Sequence, residues 1–247
     1  MMEVPRIFVG TMASGEAELD ACRAAVAAQR GVAVQHHEIR DLPELEAHNA
    51  LWDAWDAAKA GFDLFVKIDA DTVLIDDGAL ARVYALFAAD SSVTGAQILL
   101  HDYFTDSLIA GLNFFRPQVT FIRTANRLRP DVADAGHDRV LKGEVVAHLA
   151  PIGWHCLNPS PLQSFHFGLH RALKSQDETL CRVAGVWLRE RDEARGWALA
   201  GAMTASFWMR RHFDYADARF QSAFEALRGD EAKREARVET YAKRMVR

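Results

Sequence analysis

The chain is organised around one stretch, FDLFVKIDADTVL, at residues 62–74. Its first half is apolar and rich in β-branched and aromatic residues, which predicts a buried strand, and two carboxylates follow where that strand runs out. Residues i and i+2 of an extended segment project to the same side, so we expect Asp69 and Asp71 to face one cation together. Carboxylate oxygens suit Mg²⁺ or Mn²⁺. The stretch therefore predicts a divalent metal site; the plainer alternative is a strand end whose polar side chains meet solvent.

The elements around this stretch alternate between strand and helix. A strand is predicted at residues 6–12, a helix capped by Ser14 follows, a second strand spans 32–39, and an amphipathic helix runs over 44–60. This is an α/β pattern, in which ligands bind beyond the carboxyl ends of the strands. The tryptophans of the 44–60 helix recur at helical spacing, so we expect them to pack in the core.

Composition limits the classes of function. The chain has 247 residues, half of them hydrophobic, which is enough for one large domain or a domain with an appendage. A net charge of −5 argues against non-specific binding to nucleic acid or to an anionic membrane, which would call for a basic excess, and it leaves local basic patches open. Three scattered cysteines indicate neither a disulfide framework nor a zinc ribbon. With no apolar run of membrane-spanning length and no leader pattern, we expect a cytoplasmic protein without a membrane span.

Asp-x-Asp at the end of a hydrophobic strand resembles two families of different class. One is the glycosyltransferases of the GT-A fold, particularly the family 2 type, where the motif carries a divalent ion on the diphosphate of a nucleotide-sugar. The other is the haloacid-dehalogenase-like phosphatases, where the first Asp, here Asp69, is the nucleophile and Asp71 the acid/base. The phosphatase motif usually lies on the first strand, whereas here a β-α-β-α segment precedes it. The position therefore favours the GT-A resemblance.

The resemblance implies a donor site for a UDP- or GDP-type nucleotide-sugar. The residues that match its nucleotide-binding positions are Thr11, Glu16 and Asp41, with Lys67 and Asp69 near the diphosphate. Three of these residues also have a structural interpretation: helix capping for Thr11 and Glu16, and pairing with an aspartate for Lys67. The acceptor segment, 103–123, has no clear periodicity, and the acceptor stays unknown.

An inverting transfer needs a carboxylate base, which the resembled family supplies from a Glu-Asp pair at the start of a helix. His137-Asp138 is the nearest equivalent, so Asp138 is the first candidate and Asp134 the second; capping a helix at 139–142 is the alternative role of Asp138. The resemblance also implies a late histidine as third metal ligand. His155 is preferred and His166 is next.

We expect a strand at 144–150 and a helical remainder from about residue 175. The predicted fold is therefore an α/β GT-A-like, Rossmann-like sandwich at 1–174 with a helical C-terminal extension at 175–247, which offers a surface for homo-oligomer contacts. The expected function is a metal-dependent, hexosyltransferase-type glycosyltransferase. The alternatives are the phosphatase and a non-catalytic GT-A-like interaction protein.

Overall fold

The computed structural model describes residues 4–123, 125–131 and 133–247, and for 133–135 the backbone alone. The strands lie at Arg6–Ala13 (β1), Ala33–Arg40 (β2), Leu64–Lys67 (β3), Thr72–Leu74 (β4), Gly95–Asp102 (β5), Ser107–Phe115 (β6), Thr120–Phe121 (β7), Ala133–Ala135 (β8), Val140–Leu141 (β9) and Gly153–His155 (β10). The α-helices lie at Leu19–Ala27 (α1), Glu44–Ala58 (α2), Ala79–Ala89 (α3), Glu144–Ala147 (α4), Pro161–Leu173 (α5), Asp177–Glu190 (α6), Glu193–Thr204 (α7), Ala218–Arg228 (α8) and Glu231–Met245 (α9).

The main sheet has the strand order β2-β1-β3-β6-β5-β10-β4, with β9 paired to β5. Strands β2, β1 and β3 are parallel, β6 is antiparallel to both β3 and β5, and β10 is parallel to β5. The carboxyl ends of β1, β2, β3, β5 and β10 therefore lie along one edge of the sheet. The prediction of an α/β fold followed by a helical C-terminal region is confirmed.

Alternating side chains of the central strands divide the core between the two faces of the sheet. Ile7 and Val9 of β1 pack with buried residues of α1 and α3 on one face. Phe8, the residue between them, packs on the other face against Trp52 and Trp55 of α2. Both tryptophans are buried, which confirms their predicted packing role. Period-2 alternation thus fixes a three-layer arrangement with helices on both sides.

The chain divides into two compact units, residues 1–103 with 107–157, and residues 104–106 with 158–247. The first holds the main sheet and the second holds α5 to α9. The structure groups α5 with the second unit, whereas the sequence-based division at residue 174 places it in the first. Among the described residues, none of the helices combines the length and apolar character that crossing a bilayer requires.

Two predictions for the segment after residue 138 are wrong. The expected helix at 139–142 is the short strand β9, because Val140 and Leu141 add to the start of β5 at Gly95 and Ala96. The expected strand at 144–150 is instead the single turn α4 followed by turns. Its β-branched residues suggested extension, but Val146 is fully buried in the core from a helical turn, so tertiary packing overrides local propensity.

The helices α5 and α7 of the second unit pack with almost no side-chain layer between them. A Cβ atom built on Gly201 of α7 would overlap the carbonyl oxygen of Phe165 in α5, and one on Gly168 of α5 would overlap the carbonyl oxygen of Ala198 in α7. These contacts involve backbone atoms, which cannot move aside as a flexible side chain can. The two glycines therefore set the distance between the helices.

We predict that Gly201→Ala lowers the free energy of unfolding by about 1–3 kcal/mol through overpacking. Gly185→Ala in α6 is the matched control, because nothing lies within 4 Å of its added Cβ. Better helix propensity should make that variant about 0.5–1 kcal/mol more stable. Urea unfolding followed by circular dichroism measures both, and equal effects of the two substitutions would contradict the close packing of α5 on α7.

Candidate metal centre

The Asp-x-Asp motif lies in a turn between two strands. Strand β3 ends at Lys67, and the amide of Thr72, the first residue of β4, donates to the carbonyl of Asp69 at 2.9 Å. The segment that carries Asp69 and Asp71 is therefore a turn, whereas the sequence predicted an extended strand end. The turn sends the two carboxylates to different partners.

Asp71 meets a histidine that arrives on β10. The His155 Nε2 atom lies 3.8 Å from the Oδ2 atom of Asp71, and the His155 Nδ1 atom is 2.6 Å from the Oδ1 atom of Asp102. Asp102 is fully buried at the end of β5, where it stands beside His155 in the parallel register. A buried carboxylate on one ring nitrogen fixes the ring orientation and leaves the other nitrogen directed at Asp71.

Cys156 is the third member of this cluster. Its thiol donates to the Oδ2 atom of Asp71 at 3.1 Å and lies 3.6 Å from the His155 Nε2 atom. Burial, followed by the negative charge of Asp71, holds the pKa of this thiol well above its ordinary value. The backbone also joins the two segments, since the amide of Cys156 donates to the carbonyl of Asp71 at 2.8 Å.

Asp69 pairs with a lysine rather than with His155. The Lys67 ammonium donates to the Oδ1 atom of Asp69 at 2.7 Å. Burial raises the pKa of Asp69, but the charge and hydrogen bond of Lys67, with smaller effects from His48 and His155, lower it overall. His48 is itself buried, which lowers its pKa to about 4, and Lys67 acts in the same direction. His48 is therefore neutral at pH 7.

Negative charge accumulates around the turn. The pKa of Glu16 is raised first by burial and further by Asp71 and Asp69. The pKa of Cys22 is raised to about 12 by burial and then by the same two carboxylates. The predicted residue Glu16 thus lies close enough to both aspartates to be influenced by them. Carboxylates grouped in this way favour the binding of a cation.

The residues of the cluster fit a divalent metal ion. One ligand atom each from Asp71, His155 and Cys156 lies within 4.8 Å of the others. Two ligands that each stand about 2.1 Å from an ion must be within about 4.2 Å of one another, and the 3.8 Å separation of Asp71 and His155 satisfies this. The carboxylate behind His155 is the usual support of a metal-binding imidazole. Asp69 does not belong to this group of ligand atoms.

Other predicted residues are not among the grouped ligand atoms of the cluster. Thr11 is fully buried, and its hydroxyl contacts the His36 ring nitrogen at 2.9 Å. Asp41 is exposed after β2, in a left-handed conformation with φ of 56°. The side chain of Asp134 lies outside the described residues. His166 belongs to the second unit, where its ring stacks on Tyr215 at 4.4 Å.

Asp138 is not brought to the cluster. Arg139, the next residue, is hydrogen-bonded to Thr94, just before the start of β5. Asp102 and His155 lie at the other end of that strand, about 23 Å away at about 3.3 Å per residue. That separation is too long for direct proton transfer between Asp138 and an atom bound at the cluster.

Sequence reasoning missed Asp102 and Cys156. Asp102 follows an apolar strand, as Asp69 does, and parallel strands bring such ends together. That signal was available from the order of the elements. Cys156 had none, because its contact with Asp71 depends on the pairing of β10 with β4, which the sequence did not predict.

No family model and no curated protein matches the chain. Among solved structures, it resembles a mannosyltransferase, PcManGT, from Pyrobaculum calidifontis in complex with GDP-Man and Mn²⁺, with 14% identity, a TM-score of 0.44, and coverage of 99% of this chain and 86% of that one. It also resembles A197 from STIV, with 13% identity, a TM-score of 0.34, and 45% and 64% coverage.

A third structure is a glycosyltransferase involved in the glycosylation of the major capsid of PBCV-1, with 12% identity, a TM-score of 0.30, and coverage of 45% of this chain and 60% of that one. All three TM-scores lie below 0.5. Likeness of this degree does not define a function, which has to rest on the geometry of the cluster.

We predict that His155→Ala and Asp71→Ala each weaken Mn²⁺ binding more than tenfold, and that Asp102→Asn weakens it about tenfold by releasing the His155 ring. Electron paramagnetic resonance of free Mn²⁺ measures the affinity. His212→Ala is the matched control, because His212 also pairs with an aspartate, Asp217 at 2.9 Å, outside the cluster. Equal affinities of the His155 and His212 variants would contradict the assignment.

Proposed function

We propose that the protein is a metal-dependent glycosyltransferase that moves a hexosyl group from a UDP- or GDP-type nucleotide-sugar to an acceptor. The observation that carries the proposal is the cluster of Asp71, His155 and Asp102 beside the pair of Lys67 and Asp69, all at the carboxyl edge of the sheet. It combines oxygen and imidazole ligands with a cation that can contact a phosphate. Open α/β sheets bind their ligands at this edge.

Asp71 and His155 would hold the metal ion, with Asp102 as the support of the imidazole. When bound, Mn²⁺ or Mg²⁺ would neutralise the negative charge of the donor diphosphate. Lys67 would contact the same phosphates. Its ammonium is held in place by the hydrogen bond to the Oδ1 atom of Asp69, 2.7 Å away. In this proposal Glu16, Thr11 and Asp41, at the ends of β1 and β2, form the nucleoside side of the donor site.

We propose Asp131 as the base instead of Asp138. Asp131 is exposed, and its negative charge acts on both Lys67 and His48, so it lies on the Lys67 side of the site. It would accept the proton of the acceptor hydroxyl while that oxygen attacks the anomeric carbon and the nucleoside diphosphate departs from the opposite face. Transfer would then invert the configuration at the anomeric carbon.

We propose a cytoplasmic protein, in keeping with three cysteines that form no disulfide. The charged helix α9 offers a surface for contacts between copies of the chain. If the protein were instead a non-catalytic GT-A-like interaction protein, it would show no turnover with any nucleotide-sugar donor.

We predict that Mn²⁺ tightens the binding of GDP or UDP and that the enzyme slowly hydrolyses the matching nucleotide-sugar when no acceptor is present. Thermal shift with and without Mn²⁺ identifies the nucleotide, with GDP-mannose as the first donor because it is bound in the Pyrobaculum mannosyltransferase. Asp71→Ala should abolish the metal-dependent part of binding. Asp131→Asn should spare donor binding and lower turnover about 100-fold or more.

Asp138→Asn is the matched control for the base, and it should leave turnover near the wild-type value. If Asp138→Asn stops turnover and Asp131→Asn does not, the base assignment is wrong. The phosphatase alternative has its own signature: hydrolysis of an aryl phosphate that disappears in Asp69→Asn, with no response to nucleotide-sugars. That result would overturn the proposed function.

A further inference from the structure

Two adjacent aromatic side chains of the second unit are exposed to solvent. Phe207 is 75% exposed and Trp208 is 73% exposed, more than any other large hydrophobic side chain in the described part of the chain. The two rings contact each other edge to face, with centroids 6.1 Å apart. They therefore form one apolar surface, whereas exposed hydrophobic residues scattered singly are ordinary.

This surface belongs to a segment that is anchored on both sides. Helix α7 ends before it at Thr204, and the 3-10 turn Trp208–Arg211 presents the tryptophan. After the turn, Phe213 is fully buried and stacks on the ring of His170 at 5.3 Å. The turn is thus held in place while its aromatic side chains point outward.

The charge next to the aromatic pair is positive. Arg210 and Arg211 follow after Met209 and are both exposed, and the sequence from 204 to 213 contains no acidic residue. The next carboxylates along the chain are those of Asp214 and Asp217, and Asp217 caps α8 and pairs with His212. A locally basic, aromatic surface therefore stands out on a chain whose net charge is −5.

We propose that the 207–211 patch, formed by Phe207, Trp208, Arg210 and Arg211, docks the protein on the surface of an anionic lipid bilayer. Tryptophan and phenylalanine partition into the boundary between headgroups and acyl chains, and adjacent arginines attract anionic headgroups. Such docking is peripheral and needs no membrane-spanning helix.

A second copy of the chain fits this patch less well than a bilayer does. In a two-fold dimer the same surface meets itself, so the arginines of the two copies would face each other and repel. Two aromatic residues also provide much less than the roughly 800 Å² per partner that a stable protein interface buries. On a bilayer the arginines would face anionic headgroups instead of each other, and no minimum interface area per partner applies.

The test is sedimentation of the full chain with vesicles of phosphatidylcholine mixed with phosphatidylglycerol, compared with vesicles of phosphatidylcholine alone. Binding should favour the anionic vesicles and weaken with salt. The double variant Phe207→Ser with Trp208→Ser should lose binding more than tenfold, and Arg210→Gln about fivefold. All three side chains are exposed, so circular dichroism should show unchanged folding.

The matched controls are Val145→Ser, an exposed apolar residue of the first unit, and Arg237→Gln, an exposed arginine of α9. Both should bind vesicles as the wild type does. The proposal is overturned if the wild type does not sediment with anionic vesicles, or if the controls lose as much binding as the patch variants. It is also overturned if the double variant converts a dimer into a monomer without changing vesicle binding, because the patch would then be a contact between copies.

Discussion

The hydrogen bond between the buried carboxylate of Asp102 and the Nδ1 atom of His155 is the interaction on which the candidate site depends. It is 2.6 Å long and joins the ends of two neighbouring parallel strands, β5 and β10. Because Asp102 is removed from water, breaking this buried, hydrogen-bonded pair costs several kcal/mol. The pair therefore holds the imidazole in one orientation, with its Nε2 atom directed at Asp71.

The turn that carries Asp71 is fixed by the same strands. Strand β10 lies between β5 and β4, so His155 pairs with Thr72 on one side and with Asp102 on the other. The amide of Cys156 then binds the carbonyl of Asp71. Backbone pairing thus places the carboxylate and the imidazole together before any ion binds, which is the preorganisation that a metal site requires.

The sequence predicted the alternation of strands and helices from β1 to β3 and the two carboxylates that follow β3, because hydrophobic periodicity and helix boundaries are local signals. It placed Asp69 and Asp71 on an extended segment. In the structure a turn follows β3, and Asp69 pairs with Lys67 while Asp71 lies beside His155. The partnership of Asp71 with His155 joins residues 84 positions apart and depends on strand pairing, which no local pattern encodes. The preference for His155 came from family resemblance. That resemblance did not point to Asp102, whose only signal was its position at the end of an apolar strand.

Asp138 also shows that a local sequence pattern does not determine strand pairing. Its sequence context resembled the acidic pair of a GT-A enzyme, but the two residues of β9 add to the beginning of β5, and this places Asp138 at the far end of the strand. A two-residue strand has too little sequence to be recognised by alternation. Asp131, seven residues earlier, carries no such motif, and we propose it as the base because of its electrostatic effect on Lys67 and His48.

The most direct test of the central claim is a crystal structure of the protein with Mn²⁺, with the ion located by its anomalous scattering. We expect a single strong peak about 2.1 Å from a carboxylate oxygen of Asp71 and from the Nε2 atom of His155, with the hydrogen bond from His155 to Asp102 retained. A peak bound by Asp69 without His155, or no peak at the carboxyl edge of the sheet, would contradict it.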